Sequence, residues 1–197
     1  MANATKKKIG LKGFAGFGLF TDIVNTAEEY SAAGEKLNFV GASRGNFSDN
    51  RESFSIPGDD EVYDSGSEWT YTDLEVTVQE AELATLGKIT GSSIEEIKDA
   101  IEEGIFDIPE VVAPVYRALR RDGGYRCYRY YSGKLLNYSV DHSTRGSSSD
   151  GQPYTFTFRC MPRAIDGKIR GTADVANLRE AETWLESIPT VKPEGKE

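Results

Sequence analysis

The most regular pattern of hydrophobic and polar positions lies between residues 124 and 163, where the two kinds of side chain alternate with a period of two. Aromatic and β-branched residues that alternate with polar ones are typical of half-buried antiparallel strands. We predict three consecutive strands here, over residues 125–131, 134–142 and 154–160, with a tight turn at residues 132–133. These strands are expected to form one meander, around which the rest of the chain folds.

Other segments with the same alternation predict the remaining strands. Segment 9–20 carries four glycines among large apolar residues and is predicted to be a strand or loop, since glycines inside a strand often mark a bulge or a close approach. Pro114, inside the predicted strand 111–120, indicates an edge strand or a bulge. A turn at residues 122–124 leads into the meander. Further strands are predicted over residues 37–42, 69–79 and 168–171.

Three segments change the period from two to about 3.6 and therefore predict helices. Residues 80–87 are predicted to form a short helix that ends at Gly87. Residues 93–105 begin with a capping box, in which Ser93 is the N-cap and Glu96 follows three residues later. A third helix is predicted over residues 178–188. With these short helices, the chain is predicted to be mainly β.

Three segments contain too few apolar residues to fold by themselves. They are an N-terminal arm over residues 1–8, a long protruding hairpin or loop over residues 43–68, and a charged C-terminal tail over residues 189–197. A structureless stretch longer than about 15 residues inside a compact domain is usually functional or disordered. The sequence contains no repeat and no linker, so residues 1–197 are predicted to form a single domain.

Composition and charge narrow the functional classes. The chain has 197 residues and a formal net charge of −9, which argues against a basic surface that wraps nucleic acid. Its two cysteines, Cys127 and Cys160, are expected on inward faces of neighbouring strands, as reduced buried thiols or, less favoured, as a disulfide. No apolar run reaches the roughly 18 residues of a membrane span, so we expect a soluble protein made in a cytoplasm.

The sequence offers few candidates for chemistry. His142 is the single histidine, so a histidine-based metal cluster and a serine–histidine–acid triad are not expected. The acidic side chains of segment 93–105 are interpreted as a solvated helix face, and the glycines of segment 9–20 lack the context of a phosphate loop. We therefore assign no catalytic, cofactor-binding or metal-ligating residue and expect no cofactor. An enzyme is the least favoured class.

The order of the elements and several short motifs resemble one protein family. The motifs are EWTYTDLEVTVQEAELATLG, then VYRALRRDGGYRCYRYYSGKL, and then DHSTRGSSSDGQPYTFTFRCMPRAIDGKI. In this order they resemble the major tail protein of long non-contractile-tailed bacteriophages, which is the tail tube subunit. The resemblance covers roughly residues 74–171, and it is carried by the order of the motifs rather than by any one of them.

The resemblance implies a β-sandwich or barrel flanked by one or two short helices, and a structural role in the virion tail. Six copies would form a ring, rings would stack into a tube, and the virion DNA would leave through the lumen without specific binding. The implied partners are further copies of the chain, the tape measure protein, and the tail terminator and distal tail proteins. The resemblance implies synthesis in the host cytoplasm.

Two other classes remain open from the sequence. One is the inner-tube protein of a contractile tail or of a secretion-type tube, which has the same fold and ring logic. The other is a carbohydrate-binding or adhesin β-sandwich, which would use exposed aromatic residues such as Trp69, Tyr128 and Tyr130. If the chain forms a tube, an acidic channel wall would repel DNA and keep it from adhering.

Overall fold

The computed structural model describes residues 10–57, 62–95, 100–142 and 152–192. These residues form a mainly antiparallel β fold with two short helices, which confirms the predicted fold class. The strands are β1 (Leu11–Phe20), β2 (Ile23–Asn25), β3 (Tyr30–Ala32), β4 (Lys36–Asn38), β5 (Arg44–Pro57), β6 (Val62–Val78), β7 (Ser93–Glu95), β8 (Ala100–Glu102), β9 (Val111–Arg120), β10 (Tyr125–Tyr130), β11 (Ser132–Val140), β12 (Tyr154–Met161) and β13 (Arg170–Val175). The helices are α1 (Leu83–Thr90) and α2 (Leu178–Glu186). The predicted arm 1–8 and the tail beyond residue 192 lie outside the described residues.

Two layers of strands face each other and are joined through β9. One layer, which we call the covered sheet, contains β1, β4, β9, β10 and β13, and α2 packs against its outer side. The other layer, the open sheet, contains β11, β12, β6 and β5 in that order. Side chains from the facing sides of both layers fill the space between them, as in a β-sandwich.

The passage from β10 to β11 differs from the predicted turn at residues 132–133. In β10, Arg129 pairs with Val115 of β9, and in β11, Gly133 pairs with Val112 of the same strand. Both strands are antiparallel to β9, so the chain continues in one direction and gains one residue between the two ladders. Such an extra residue bends a strand, which here passes from the covered to the open sheet. The predicted meander is therefore wrong, and only β11 and β12 pair as neighbours.

Pro114 lies at the interruption between these two ladders. It pairs with Leu19 of β1, while on the other side of β9 it falls between the residues that pair with β10 and β11. Proline donates no backbone hydrogen bond, so a break in the ladder suits this position. A Cβ atom on Gly133 would lie 3.2 Å from Cδ of Pro114, so the strands approach closely here. The ladder is interrupted at Pro114, but the extra residue lies on the opposite strand, between β10 and β11. The predicted edge strand is wrong, because β9 has partners on both sides.

The main core lies between the two sheets. The alternation of β6 and β12 predicts its composition, since each strand sends every second side chain inward. Aromatic rings dominate, and Phe156 contacts the rings of Phe39, Tyr138, Tyr154 and Phe158. The fully buried members with less than 2 % exposure include Phe17, Leu19, Leu74, Val76, Val78, Ile89, Val112, Tyr130, Phe156, Phe158 and Cys160.

A second, smaller core lies on the outer side of the covered sheet. Ala181 and Leu185 of α2 are fully buried there, against a group of strand residues that includes Phe20, Ala113, Val115 and Cys127. The prediction of a helix over residues 178–188 is confirmed. Cys127 faces this second core and Cys160 the main core, and both are free thiols. The cysteines are buried as expected, but their strands are not neighbours in the sheet, so the alternative of a disulfide is wrong.

Helix α1 extends further than the sequence predicted. Gly87 was expected to end it, but Gly87 is a buried residue inside the helix. The end is at Gly91, which has a φ of 77° and whose backbone N–H donates to the carbonyl oxygen of Gly87. A left-handed glycine after the last turn is a common helix ending. Gly87 is instead a buried position in the middle of the helix.

The capping-box helix predicted over residues 93–105 is wrong. The described part of this segment forms β7 and β8, which pair with each other antiparallel from Ser93 with Glu102 to Glu95 with Ala100. The apolar spacing that indicated a helix also fits a short hairpin, because short apolar runs are ambiguous between the two structures. Tertiary contacts then decide the outcome, and Ile101 packs against the main core.

Several boundaries also shift. The strand predicted over residues 168–171 is β13, which begins at Arg170 and continues to Val175. The strand predicted over residues 37–42 is shorter, since β4 ends at Asn38. In the predicted tail, Val191 exchanges two backbone hydrogen bonds with Tyr30 and is therefore held against the domain. Strand β1 contains Gly16 at a φ of 60°, between residues at which its register to β9 shifts, as a bulge requires.

Candidate assembly surfaces

Strands β5 and β6 form a long hairpin that extends beyond the open sheet. They pair from Arg44 with Thr77 to Pro57 with Val62. Strand β12 accompanies β6 only as far as Thr72, so the outer half of the hairpin pairs only with itself among the described residues. Ten residues of β6 precede that point, which at about 3.3 Å per residue gives a projection of about 30 Å. The segment 43–68 is thus a hairpin rather than a loop.

The projecting half of the hairpin has little apolar support of its own. Phe54 is 44 % exposed, and its ring covers Gly66 on the opposite strand, where a Cβ atom would lie 2.7 Å from the ring. Apolar packing resumes only nearer the base, at Trp69, which packs against the main core and donates its indole N–H to the backbone oxygen of Tyr71 and to the hydroxyl of Thr72. An isolated two-stranded ribbon is marginally stable in water. Contacts from outside the chain would therefore stabilise this element.

Side chains, and not backbone hydrogen bonds, join the base of the hairpin to the covered sheet. Arg170 of β13 donates to both carboxylate oxygens of Asp49 of β5, at 3.2 and 3.3 Å. Its guanidinium lies 4.4 Å from the ring centre of Phe47 and 5.0 Å from that of Trp69. Burial lowers the pKa of Arg170, but Tyr130 and Asp49 outweigh that effect and raise it. We call this contact the Arg170 seam.

The strand order leaves several backbone edges of the layered sheet without a partner among the described residues. Short β4 pairs only with β1, and the two ends of the strand order are the outer edges of β5 and β13. Strand β5 is long, and nearly all of its described side chains are exposed. Long exposed edges are uncommon in monomers because they invite pairing with another chain. Both edges are therefore candidates for contacts between subunits.

The outward face of the open sheet is polar, in contrast to the helix-covered face of the other sheet. Threonines 77, 155 and 157 alternate there with charged residues, and Arg159 donates to both oxygens of Asp73 at 2.9 and 3.0 Å. Residues 44–78, which contain the hairpin, carry nine acidic side chains against two arginines. That is a formal charge of −7 for this segment, against −9 for the whole chain. The negative charge is thus concentrated in the hairpin and its strands.

The residues considered for chemistry do not assemble into a reactive centre. The imidazole Nδ1 of His142 lies 3.0 Å from the side-chain oxygen of Gln152, near the end of β11. Burial raises the pKa of the Cys127 thiol to about 11 and also raises the pKa of Cys160. Among residues 10–57, 62–95, 100–142 and 152–192, no cluster of three or more metal-ligating side chains occurs.

The aromatic residues considered for carbohydrate binding are placed differently from expectation. Tyr128 and Tyr130 are buried, and the ring of Tyr116 stacks on both of them in the main core. Burial raises the pKa of Tyr130 to about 12. Trp69 is half-buried and has Arg51 over its ring. The three residues therefore do not form an exposed aromatic platform, which was the basis of the adhesin alternative.

Comparisons with known proteins add two loose structural similarities. No protein-family model matches the sequence, and no curated protein matches it. A chain of the anti-feeding prophage (AFP) baseplate, from a six-fold symmetrised cryo-EM structure, is 8 % identical with a TM-score of 0.37, covering 89 % of this chain and 97 % of that one. A type six secretion system protein is 12 % identical with a TM-score of 0.39, covering 80 % and 91 %. At these scores the likeness carries no argument about family or function.

Sequence reasoning missed the Arg170 seam and the exposed end of segment 93–105. Asp49 lies 121 positions before Arg170, and no local pattern connects two residues that far apart. Ile105 lies at the end of the segment predicted as the 93–105 helix, and it is almost fully exposed. Neither described helix, at eight and nine residues, has the length and hydrophobicity needed to cross a membrane.

Proposed function

We propose that this chain is a structural subunit of a phage tail tube, which polymerises as stacked hexameric rings through which DNA leaves the virion. The observation that carries the proposal is the long β5–β6 hairpin, which projects about 30 Å beyond the sheet and has an open outer edge. The family named in this proposal comes from the resemblance of residues 74–171. Neighbouring subunits would provide contacts for the exposed hairpin and a pairing partner for the open edge of β5.

The open sheet is proposed to line the channel. Its outward face is polar and is not packed against α2, so it suits a water-filled lumen, while the helix-covered sheet would lie on the outside. The charge of −7 on residues 44–78, repeated six times in each ring, would repel DNA phosphates along the wall. Edge pairing of β5 with a neighbouring subunit would close the open strand edges into a continuous ring.

The same features suit the inner tube of a contractile tail or of a secretion apparatus. In a contractile tail, the tube would copurify with a sheath protein when it is isolated from infected cells. A non-contractile tube would be isolated without one.

The test is the assembly state of the purified full-length chain. Negative-stain micrographs of concentrated protein should contain rings or tubes with six-fold averages, and a strict monomer at every concentration would refute the proposal. A variant in which Asn-Gly replaces residues 52–68 joins Arg51 to Trp69 by a two-residue turn. It should still unfold cooperatively but should not stack, because only the projecting half is removed.

A binding measurement tests the repelling lumen separately. Wild-type protein should have no affinity for duplex DNA that falls as salt is added. Tight, salt-sensitive binding would contradict an acidic channel wall, even if tubes form.

A further inference from the structure

An exposed apolar loop precedes β9. Ile105, Phe106 and Ile108 are 92 %, 87 % and 74 % exposed, and we call these three residues the knob. Single exposed apolar residues are ordinary on protein surfaces, but three large ones within four positions form a patch. In a soluble subunit, such a patch is typical of a contact with another protein.

The knob is held in a fixed conformation. The carboxylate of Asp107 accepts a hydrogen bond from the backbone N–H of Gly104 at 2.8 Å, and the Asp107 N–H donates back to the Gly104 oxygen. Tyr138 donates its hydroxyl to Glu103 at 2.7 Å. On the other side, the backbone of Ile108 lies so close to Gly91 that a Cβ atom there would overlap its oxygen. The apolar side chains are therefore presented to solvent on an ordered backbone, which lowers the entropic cost of binding.

An apolar groove of about 400 Å³ lies elsewhere on the same chain, between β1 and β5. It is lined by Leu11, Phe14, Phe47, Tyr116, Ala118 and Tyr128, among others. Its volume is enough for the side chains of a phenylalanine and an isoleucine, and pockets of this size commonly hold such groups. The groove opens where the two sheets are not joined by backbone hydrogen bonds.

The knob and the groove are separate surfaces of one subunit. The knob precedes Val111 at the start of β9, whereas Tyr116 and Ala118 of the groove belong to the far half of that strand. At about 3.3 Å per residue, Tyr116 lies roughly 16 Å along the strand from Val111. None of the knob residues lines the groove, so a second copy of the chain could occupy it.

The charges around the two surfaces are complementary. Residues 100–110 contain four acidic side chains and no lysine or arginine. The groove is lined in part by Lys12, Arg44 immediately precedes its lining residue Gly45, and Arg121 is hydrogen-bonded through its backbone to Gly10 at the start of β1. Opposite charges at the rim favour encounter in one orientation and disfavour contact between two knobs.

We propose that the knob of one subunit inserts into the β1–β5 groove of a second copy of this chain. This inference rests on the proposed function, and it names the surfaces that would join neighbouring copies. A contact between two different surfaces is heterologous, and it closes into rings or propagates as a filament. The knob supplies the apolar anchor of that contact and the acidic and basic rims set its direction.

Phe106→Ser tests the anchor, with Leu178→Ser as the matched control, because Leu178 is exposed on α2. Phe106→Ser should raise the critical concentration of assembly about tenfold or more, since it removes a large buried apolar group from each contact. Its melting temperature should stay within about 2 °C of wild type, because the side chain contributes little to the isolated fold. Leu178→Ser should change neither quantity appreciably.

Cross-linking tests the pairing itself. When Ile105→Cys protein is mixed with Leu11→Cys protein and oxidised, disulfide-linked dimers should form, and each variant alone should remain unlinked. The native thiols do not interfere because Cys127 and Cys160 are buried. Efficient linking of Ile105→Cys to itself would overturn the inference, since it would place two knobs together.

The outcomes separate this inference from the proposed function. If wild type forms tubes and Phe106→Ser forms them at the same concentration, the knob contact is refuted while the tube function stands. If wild type never assembles, both fail. A large fall in the melting temperature of Phe106→Ser would also refute the inference, because the knob would then belong to the fold of a single subunit.

Discussion

Loss of the Arg170 seam should release the base of the hairpin. We consider Arg170→Met, which keeps an unbranched apolar stem and removes the guanidinium. Arg170 and Asp49 have side-chain exposures of 16 % and 23 %, so their interaction is only partly screened by water. A hydrogen-bonded charge pair contributes about 1.5–3 kcal/mol, and the stacking on Phe47 and Trp69 about 0.5–1 kcal/mol more.

Partial rehydration of Asp49 offsets some of this loss, so we expect the free energy of unfolding to fall by about 2–3 kcal/mol. For a chain of this size, that corresponds to a decrease in melting temperature of about 5–10 °C. The assay is urea denaturation of wild type, Arg170→Met, Asp49→Asn and the double variant. The cycle should give a coupling energy above about 1 kcal/mol, because the two residues contact each other directly.

Arg126→Met is the matched control. Arg126 also donates to both oxygens of one carboxylate, that of Asp174, at 2.6 and 2.7 Å, but the two side chains are 31 % and 34 % exposed. An exposed pair of this kind contributes less than about 1 kcal/mol after screening. If Arg170→Met costs no more than Arg126→Met, or the coupling with Asp49 is below about 0.5 kcal/mol, the seam does not hold the hairpin and the reasoning fails.

Two further predictions concern helix α2 and the turn between β12 and β13. Leu185→Ala should lower the free energy of unfolding by about 2–5 kcal/mol, because the side chain is fully buried between α2 and the covered sheet. Leu178→Ala, at an exposed position of the same helix, should lower it by less than about 0.5 kcal/mol. Equal effects of the two variants in chemical denaturation would refute the packing of α2. Burial raises the pKa of Asp166, but its hydrogen bonds to Arg163 outweigh this effect and lower the pKa. The stability that ionised Asp166 contributes is therefore complete above its unfolded pKa of about 4, and it is lost as pH falls through its pKa in the folded protein. Asp166→Asn should therefore be less stable than wild type at pH 7, and a difference that did not shrink in denaturation at about pH 2 would contradict this assignment.

The sequence by itself determined several of the long strands and the apolar side of those that alternate. Strand β12 and the inner half of β6 follow directly from alternation, because a side-chain period of two is a local property of extended backbone. An interruption of the ladder at Pro114 was also predictable, since proline lacks the donor that a regular ladder needs. Helix α2 follows from its apolar period in the same way.

Only the tertiary structure decided how these strands are connected and what lies between them. The continuation of β10 into β11, instead of a turn at residues 132–133, depends on pairing with β9, which no residue near that point encodes. The hairpin in place of the 93–105 helix likewise depends on packing of Ile101 against the core. The contact of Arg170 with Asp49 and the separation of the knob from the groove arise because distant segments are brought together or kept apart by the whole sheet. Local patterns set what each segment prefers, and long-range packing selects among those preferences.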